Sequence, residues 1–543
     1  MNLFANPEST TPFICSIARA LSLCAVIVVC AAGTVANNQK ALRQAQKALR
    51  SGDYQRAEQM YREILQKDDQ EVAARLGLSK TLLKQQRLPE SFDHAARVIA
   101  ANPLSAEAHA ILGSAILATG DFRLSLEEFR TALNIDDYQP LAVAGLAMID
   151  FYENRNNEAV QKLRRAASMD PDEPDYVFSL GQAAARAEKY KEAADAYERF
   201  LLIAPHTDSD RRARIRGLID FLRYLGQQSS LYVVSGPERT VMTFESIDNR
   251  PIVNVRLNGS KTPLRFVLDT GSGMSVISEE TARKLGLRPV ARGGMARAIG
   301  GGGRFEIVYG YLNSMDLGDM HIENVPIYIR RFYDQQTPVD GYLGIAALVR
   351  LVTAVDYGTR RMTLVRQRNS ADLSSLIDHI ATMGSTNVVA RPGFEILVRT
   401  TSSGFLSGEV TVEGITKSLN FIIDTGATVS VISQRAAELG PFGEFIQPDR
   451  MRVFGAAGVA EDVKIAMLPK VAIGSYAREK VNAAVLDLDP INETAGFQQN
   501  GILGGNFLRH FRVVFDFQRG ILRFEPIDEA KTTSAGAQEK SGL

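Results

Sequence analysis

Apolar positions along this chain follow two different rhythms. Between residues 38 and 224 they recur every third or fourth position, in blocks separated by short polar turns such as "SGDY" at 51–54, "TGDF" at 119–122 and "AEKY" at 187–190. That spacing predicts a succession of amphipathic helices. After Leu225 the spacing shortens to two. The stretch "VYGYLNSMDLGDMHIENVPIYI" at 308–329 alternates apolar and polar positions around a turn at Leu317-Gly318-Asp319, which predicts paired strands. The expected class is therefore multidomain: an all-α array followed by an all-β region.

The helical half repeats with a period of 34. Ala57, Ser91, Ser125, Ala159 and Ala193 fall at that step, as do Ala45, Ser79, Gly113, Ala147 and Gly181. Asp69, Pro103, Asp137, Pro171 and Pro205 form a third series, and bulky residues follow at Tyr61, Phe129, Leu163 and Tyr197, with Ala95 interrupting. Small residues let two antiparallel helices approach, large ones fill the gap, and proline or aspartate ends the second helix. The pattern resembles the tetratricopeptide repeat, with about five units from 38 to 205 and a capping helix near Arg211–Leu225, giving a solenoid over 38–224. The resemblance implies a concave surface that holds a protein or peptide partner.

The strand-rich half writes one sentence twice. "FVLDTGSGMSVIS" occupies Phe266–Ser278 and "FIIDTGATVSVIS" occupies Phe421–Ser433. Each is followed by a glycine-rich stretch, "AIGGGG" at 298–303 and "VFGAAG" at 453–458, and then by "GYLGIAAL" at 341–348 and "GILGGNFL" at 501–508. Asp356-Tyr357 and Asp516-Phe517 come next at matching offsets; their symmetric placement at a late strand suggests a structural role. Two copies of one unit are expected at 240–368 and 394–527, joined by a linker at 370–393 and followed by a polar, disordered tail at 528–543.

An Asp-Thr-Gly after an apolar strand, answered downstream by two apolar residues and a glycine, resembles the aspartic protease superfamily. The short copies are closer to retroviral-type subunits than to the larger lobes of pepsin-type enzymes. The resemblance implies a bilobal acid-protease fold of two closed-barrel-like lobes, a polypeptide substrate, and Asp269 and Asp424 as the catalytic pair. It also implies that Thr270, Gly271, Ser272, Thr425, Gly426 and Ala427 support the two loops, with Thr270 and Thr425 cross-bonding them. Leu343-Gly344 and Leu503-Gly504 are the downstream glycine elements, and Gly300, Gly301, Gly302, Gly455 and Gly458 belong to flaps. Two carboxylates close enough to share a proton can activate a water and protonate a carbonyl oxygen, because like charges at that range do not both ionise easily. The copies differ at Ser272 and Ala427; the Ser272 hydroxyl is expected to donate to an ionised Asp269, leaving the shared proton on Asp424.

Composition narrows this further. The 543 residues carry 62 acidic and 62 basic side chains, which argues against nucleic acid as the main partner. The three cysteines, Cys15, Cys24 and Cys30, all lie near the start, so the body has no disulfide framework, and its six histidines show no zinc-hydrolase spacing. No metal or cofactor is expected. "LSLCAVIVVCAA" at Leu21–Ala32, preceded by Arg19, reads as an export signal within 1–36, short for a bilayer span. The alternative is an uncleaved membrane tether through 13–35. The chain is expected outside the cytoplasm, periplasmic or extracellular. Three functional readings stand: an aspartic endopeptidase whose repeats bind a partner or substrate, an inactive protease-like binding protein working through its repeats, and two lobes each active only as homodimers.

Overall fold

The computed structural model describes residues 38–300, 303–334, 337–366, 393–439 and 442–527. The expected export segment at 1–36, nearly all of the linker at 370–393, Gly301, Gly302 and the tail at 528–543 lie outside the described residues. The chain divides into two compact units, one of residues up to Ile116 with Glu127–Gln139, the other of Leu117–Leu126 with everything from Pro140 onward.

Helices follow one another as α1 (38–50), α2 (Tyr54–Lys67), α3 (Val72–Lys84), α4 (Leu88–Ala101), α5 (Ala106–Thr119), α6 (Phe122–Ile135), α7 (Pro140–Tyr152), α8 (Asn156–Met169), α9 (Pro174–Arg186), α10 (Tyr190–Ile203) and α11 (Ser209–Leu225). The period-34 residues are where these helices touch. Ala57, Ser91, Ser125, Ala159 and Ala193 are each 0% exposed, because at these positions only a small side chain fits between neighbouring backbones. In the first unit a Cβ at Gly77 would run into the Tyr61 ring, and Ser79 Oγ donates to the Ser91 carbonyl at 2.6 Å. In the second, a Cβ on Gly181 would lie 2.9 Å from the Tyr197 ring. Acidic side chains cap several helices; Asp53 accepts from Arg56 N and Asp208 from Arg211 N.

The second unit continues into strands β1 (Val233–Ser235), β2 (Arg239–Thr243), β3 (Glu245–Ile247), β4 (Arg250–Leu257), β5 (Leu264–Leu268), β6 (Val276–Ser278), β7 (Ala291–Arg297), β8 (Arg304–Leu317), β9 (Met320–Arg330), β10 (Gly341–Leu343), β11 (Leu351–Asp356) and β12 (Arg361–Arg366). The second copy supplies β13 (Phe394–Thr400), β14 (Leu406–Val412), β15 (Leu419–Ile423), β16 (Ser430–Ser433), β17 (Ile446–Gly455), β18 (Gly458–Ile473), β19 (Tyr476–Leu486), β20 (Gly501–Leu503), β21 (Phe511–Asp516) and β22 (Ile521–Pro526). In lobe 1, β4-β5-β10-β6-β9-β8 closes on itself through the β8–β4 pairing. In lobe 2, β14-β15-β20-β16-β19-β18 closes through β18–β14 in the same way. Closure leaves each ring without free edges and encloses an apolar core that includes Phe266, Ile277 and Leu343 in one lobe and Phe421, Ile432 and Leu503 in the other.

The lobes are joined by a shared antiparallel sheet in the order β13-β22-β21-β11-β12-β2. Its seam is β11 against β21, with Ala354 opposite Val514. Asp356 and Asp516 close turns at its ends, Asp356 accepting from Gly358 N and Thr359 N, and Asp516 from Arg519 N. Both serve the sheet. Among the described residues no helix is long and apolar enough to cross a membrane.

Candidate active site

Strands β5 and β15 run through the lobe cores and end at Asp269 and Asp424. Each aspartate is fixed at once by the neighbouring parallel strand: Asp269 N donates to Leu343 O and Asp424 N to Leu503 O, both at 3.0 Å. The strands "FVL" and "FII" are fully buried, so the loops start from rigid supports. Gly344 and Gly504 sit where a Cβ would press into the following loop, 2.5 Å from the Met274 carbonyl carbon and the Val429 oxygen respectively. Their amides donate to Ser275 Oγ and Ser430 Oγ, each at 3.1 Å. These two serines were not singled out from the sequence, although their repetition in "SVIS" was the available signal.

Thr270 and Thr425 lock one loop to the other. Thr425 N donates to Thr270 Oγ1 at 3.0 Å and Thr270 N to Thr425 Oγ1 at 3.2 Å. Each hydroxyl then donates across the interface, Thr270 to Ile423 O and Thr425 to Leu268 O, both at 2.7 Å. Both threonines are buried, so every polar atom in this cross must be paired. The glycines that follow make room for the opposite carboxylate. A Cβ on Gly271 would overlap Asp424, and one on Gly426 would lie 2.7 Å from Asp269 Oδ1.

The two carboxyl groups are hydrogen-bonded to each other within one chain. Burial, then the neighbouring Asp424 charge, pushes Asp269 well above the usual carboxylate range. Burial also raises Asp424, but the backbone N–H groups of Gly426, Ala427 and Gly271 oppose the rise, with Gly426 N donating at 2.7 Å. Both carboxyl groups are thus raised, and the pair readily holds one shared proton between them. Ser272 does not make the expected donation to Asp269. Its hydroxyl donates to the Met274 carbonyl at 2.8 Å, within its own loop, so it bolsters the loop's shape instead of stabilising charge on Asp269.

The hairpins β7–β8 and β17–β18 arch from the two lobes and meet at their tips. Ala457 N faces Ile299 O at 3.4 Å, and a Cβ on Gly300 would lie 2.7 Å from Gly455 Cα and 2.9 Å from the Gly458 carbonyl. Gly300 and Gly458 adopt φ of 95° and 134°, a region that glycine enters without strain. The lobe 1 hairpin is braced from behind by α11. Phe221 stacks on Tyr309 at 4.3 Å, Arg214 donates to Met295 O at 2.9 Å, and Gly217 packs directly on the Arg292 backbone.

A second brace comes from the end of α9. The Arg186 guanidinium donates to the carbonyls of Thr401 at 2.5 Å and Ser402 at 3.3 Å. That turn in turn touches the first active-site loop: a Cβ on Gly273 would lie 2.7 Å from Ser403 O. Burial lowers the Arg186 pKa to about 10, which leaves it charged at neutral pH. Among the described residues, no group of three or more His, Cys, Asp or Glu side chains is arranged to hold a metal ion.

Residues 253–347 and 408–507 both match the aspartyl protease family, one copy per lobe. Residues 48–115, 93–140 and 145–208 match tetratricopeptide repeat families. Among solved structures, the chain resembles an aspartic proteinase from Irpex lacteus at 13% identity and a TM-score of 0.35, covering 55% of this chain and 99% of that one. It also resembles a thermophilic TPR protein of Thermus thermophilus at 19% identity and a TM-score of 0.29, covering 34% of this chain and 98% of that one. No curated protein matches the chain significantly.

Proposed function

Because the chain carries two aspartyl protease repeats in tandem behind tetratricopeptide repeats, we propose that it is an aspartic endopeptidase with a single intramolecular site at Asp269 and Asp424. The observation that carries this reading is the pair of hydrogen-bonded carboxyl groups held by the reciprocal threonine bonds. Asp424, ionised, would take a proton from a water as the water oxygen bonds to the scissile carbonyl carbon. Asp269, protonated, would give its proton to the carbonyl oxygen. The resulting gem-diol returns one hydroxyl proton to Asp269 as the C–N bond breaks, and the proton on Asp424 passes to the departing amine. The flap tips meeting over the cleft support exclusion of bulk water during these steps.

Pairing within one chain favours this reading over two homodimeric sites. Retention of both aspartates, both threonines and both glycines favours it over a protein that only binds. The repeats are proposed to hold a polypeptide, partner or substrate, and the apolar run at Leu21–Ala32 supports a working place outside the cytoplasm. The test is incubation of the full chain with a denatured protein across acidic to neutral pH. Cleavage is expected, blocked by a statine-type inhibitor and lost in Asp269→Asn and Asp424→Asn alike. Cleavage surviving in either single variant would refute the one-site dyad.

A further inference from the structure

Register in the two lobes identifies one place beside the dyad where the copies depart in charge. In lobe 1, Val276 pairs with Tyr328 and with Tyr342, and Ser278 pairs with Arg330. These residues therefore lie on the sheet face opposite Ile277 and Leu343, whose side chains fill the lobe core. In lobe 2 the equivalent ladder places Leu486 opposite Ser433, and Ala484 and Ile502 opposite Val431. Arg330 and Leu486 thus occupy the same position in the two copies.

Their surroundings differ in kind. Leu486, Ala484, Val431 and Ile502 form a buried apolar cluster, against which Ile299 of the lobe 1 flap tip packs. On the lobe 1 side the Arg330 guanidinium lies 5.3 Å over the Phe305 ring, close to the flap tip. Its Nε is shut off from solvent and has no hydrogen-bond partner among the described residues, and no ion pair of this residue is recorded among them. The carboxyl group within its electrostatic reach is Asp269, which is already engaged with Asp424. A half-buried arginine with an unpaired Nε and no ion pair is costly to keep, and it is complementary to an anion that arrives from outside the fold.

We propose that Arg330 binds a carboxylate of the substrate, so that the site selects chains carrying Asp or Glu on the lobe 1 side of the scissile bond and an apolar residue on the lobe 2 side. The inference rests on the endopeptidase reading and names its substrate class. A planar guanidinium can grip a carboxylate through two parallel hydrogen bonds from its terminal nitrogens, and the Phe305 face orients its plane. The apolar cluster around Leu486 offers the other half of the cleft only dispersion and desolvation, which suits an aliphatic or aromatic side chain.

The full chain is incubated with a peptide library and the cut sites are sequenced; Asp and Glu should be enriched at one position close to the cut. A peptide carrying Glu at that position should exceed its Gln counterpart by about tenfold or more in kcat/KM, expressed mainly in KM. Arg330→Met should erase that ratio, Arg330→Lys should restore part of it, and Arg330→Glu should turn the preference toward Lys. The wild-type ratio needs no variant to fold, so it decides the matter even where a substitution fails. No acidic enrichment, or an enrichment that persists in Arg330→Met, would overturn the proposal. In parallel, Asp269→Asn is used to capture intact peptides from the same library. Acidic peptides retained there and lost in the double variant with Arg330→Met support the carboxylate site even when the wild type cuts nothing, whereas indiscriminate capture overturns it.

Discussion

In lobe 1 an active-site loop stands beside a half-buried arginine and under a flap braced by a helix; in lobe 2 its copy stands beside leucine. The loops themselves match nearly atom for atom: the same amide-to-carbonyl bond, the same serine under the glycine, the same threonine exchange. What had to remain symmetric is the backbone framework that brings two carboxyl groups together. What was free to diverge is the sheet face that a bound chain would touch, together with the donors around each carboxylate. On the proposed reading, the difference separates the machinery of assembly from that of selection.

The largest effect should show whether both halves of the framework are equally required. Asp269→Asn and Asp424→Asn should each lower kcat by about 10²–10⁴-fold, since each removes a proton donor or acceptor from one reaction. Progress curves on a denatured protein would measure this, and a much smaller loss in one variant would break the equivalence. Next come the glycines. Gly271→Ala and Gly426→Ala each drive a methyl into the opposite carboxylate, and each should destabilise the protein by roughly 1–3 kcal/mol in denaturant titrations while abolishing turnover.

A smaller effect sharpens the asymmetry in charge. Asp269 is raised well above its ordinary value, so below the unfolded pKa, about 3.9, both states are protonated and the contribution is intact. As pH rises through the folded pKa, the unfolded chain has already lost its proton and the native state is penalised. Stability should therefore fall across that interval, and Asp269→Asn should remove that part of the fall, as melting temperatures at stepped pH would show. Arg330 opposes the rise at Asp269, so Arg330→Met should move the upper limb of the pH–rate profile to higher pH. The smallest effect is expected at Ser272→Ala. It removes one partly exposed hydrogen bond to Met274 O, about 0.5–1.5 kcal/mol, and should leave both limbs of that profile in place.

Much of the framework could be read from residue order. The period of 34 is forced by helix contacts that admit only small side chains, and the doubled Asp-Thr-Gly by two loops that bond each other through their threonines. Ser272 misled because a hydroxyl two residues from its acceptor chooses between local partners according to loop geometry, which spelling does not encode. Arg186 was invisible for a related reason: it grips main-chain carbonyls of Thr401 and Ser402, and carbonyls carry no residue identity. Nor could periodicity divulge that α7 to α11 share a compact unit with the lobes. That Arg330 stands where the second copy has Leu486 emerges only from the β6–β9 and β16–β19 registers.

The seam between β11 and β21 makes formation of the carboxylate pair a unimolecular event. Two half-sites that must find each other lose activity on dilution, as their encounter frequency falls. Here the partner half is present at a fixed effective molarity set by the chain itself, so turnover per molecule should stay level at concentrations where a dissociable pair would fall silent. Control by separating subunits would be closed to such a molecule.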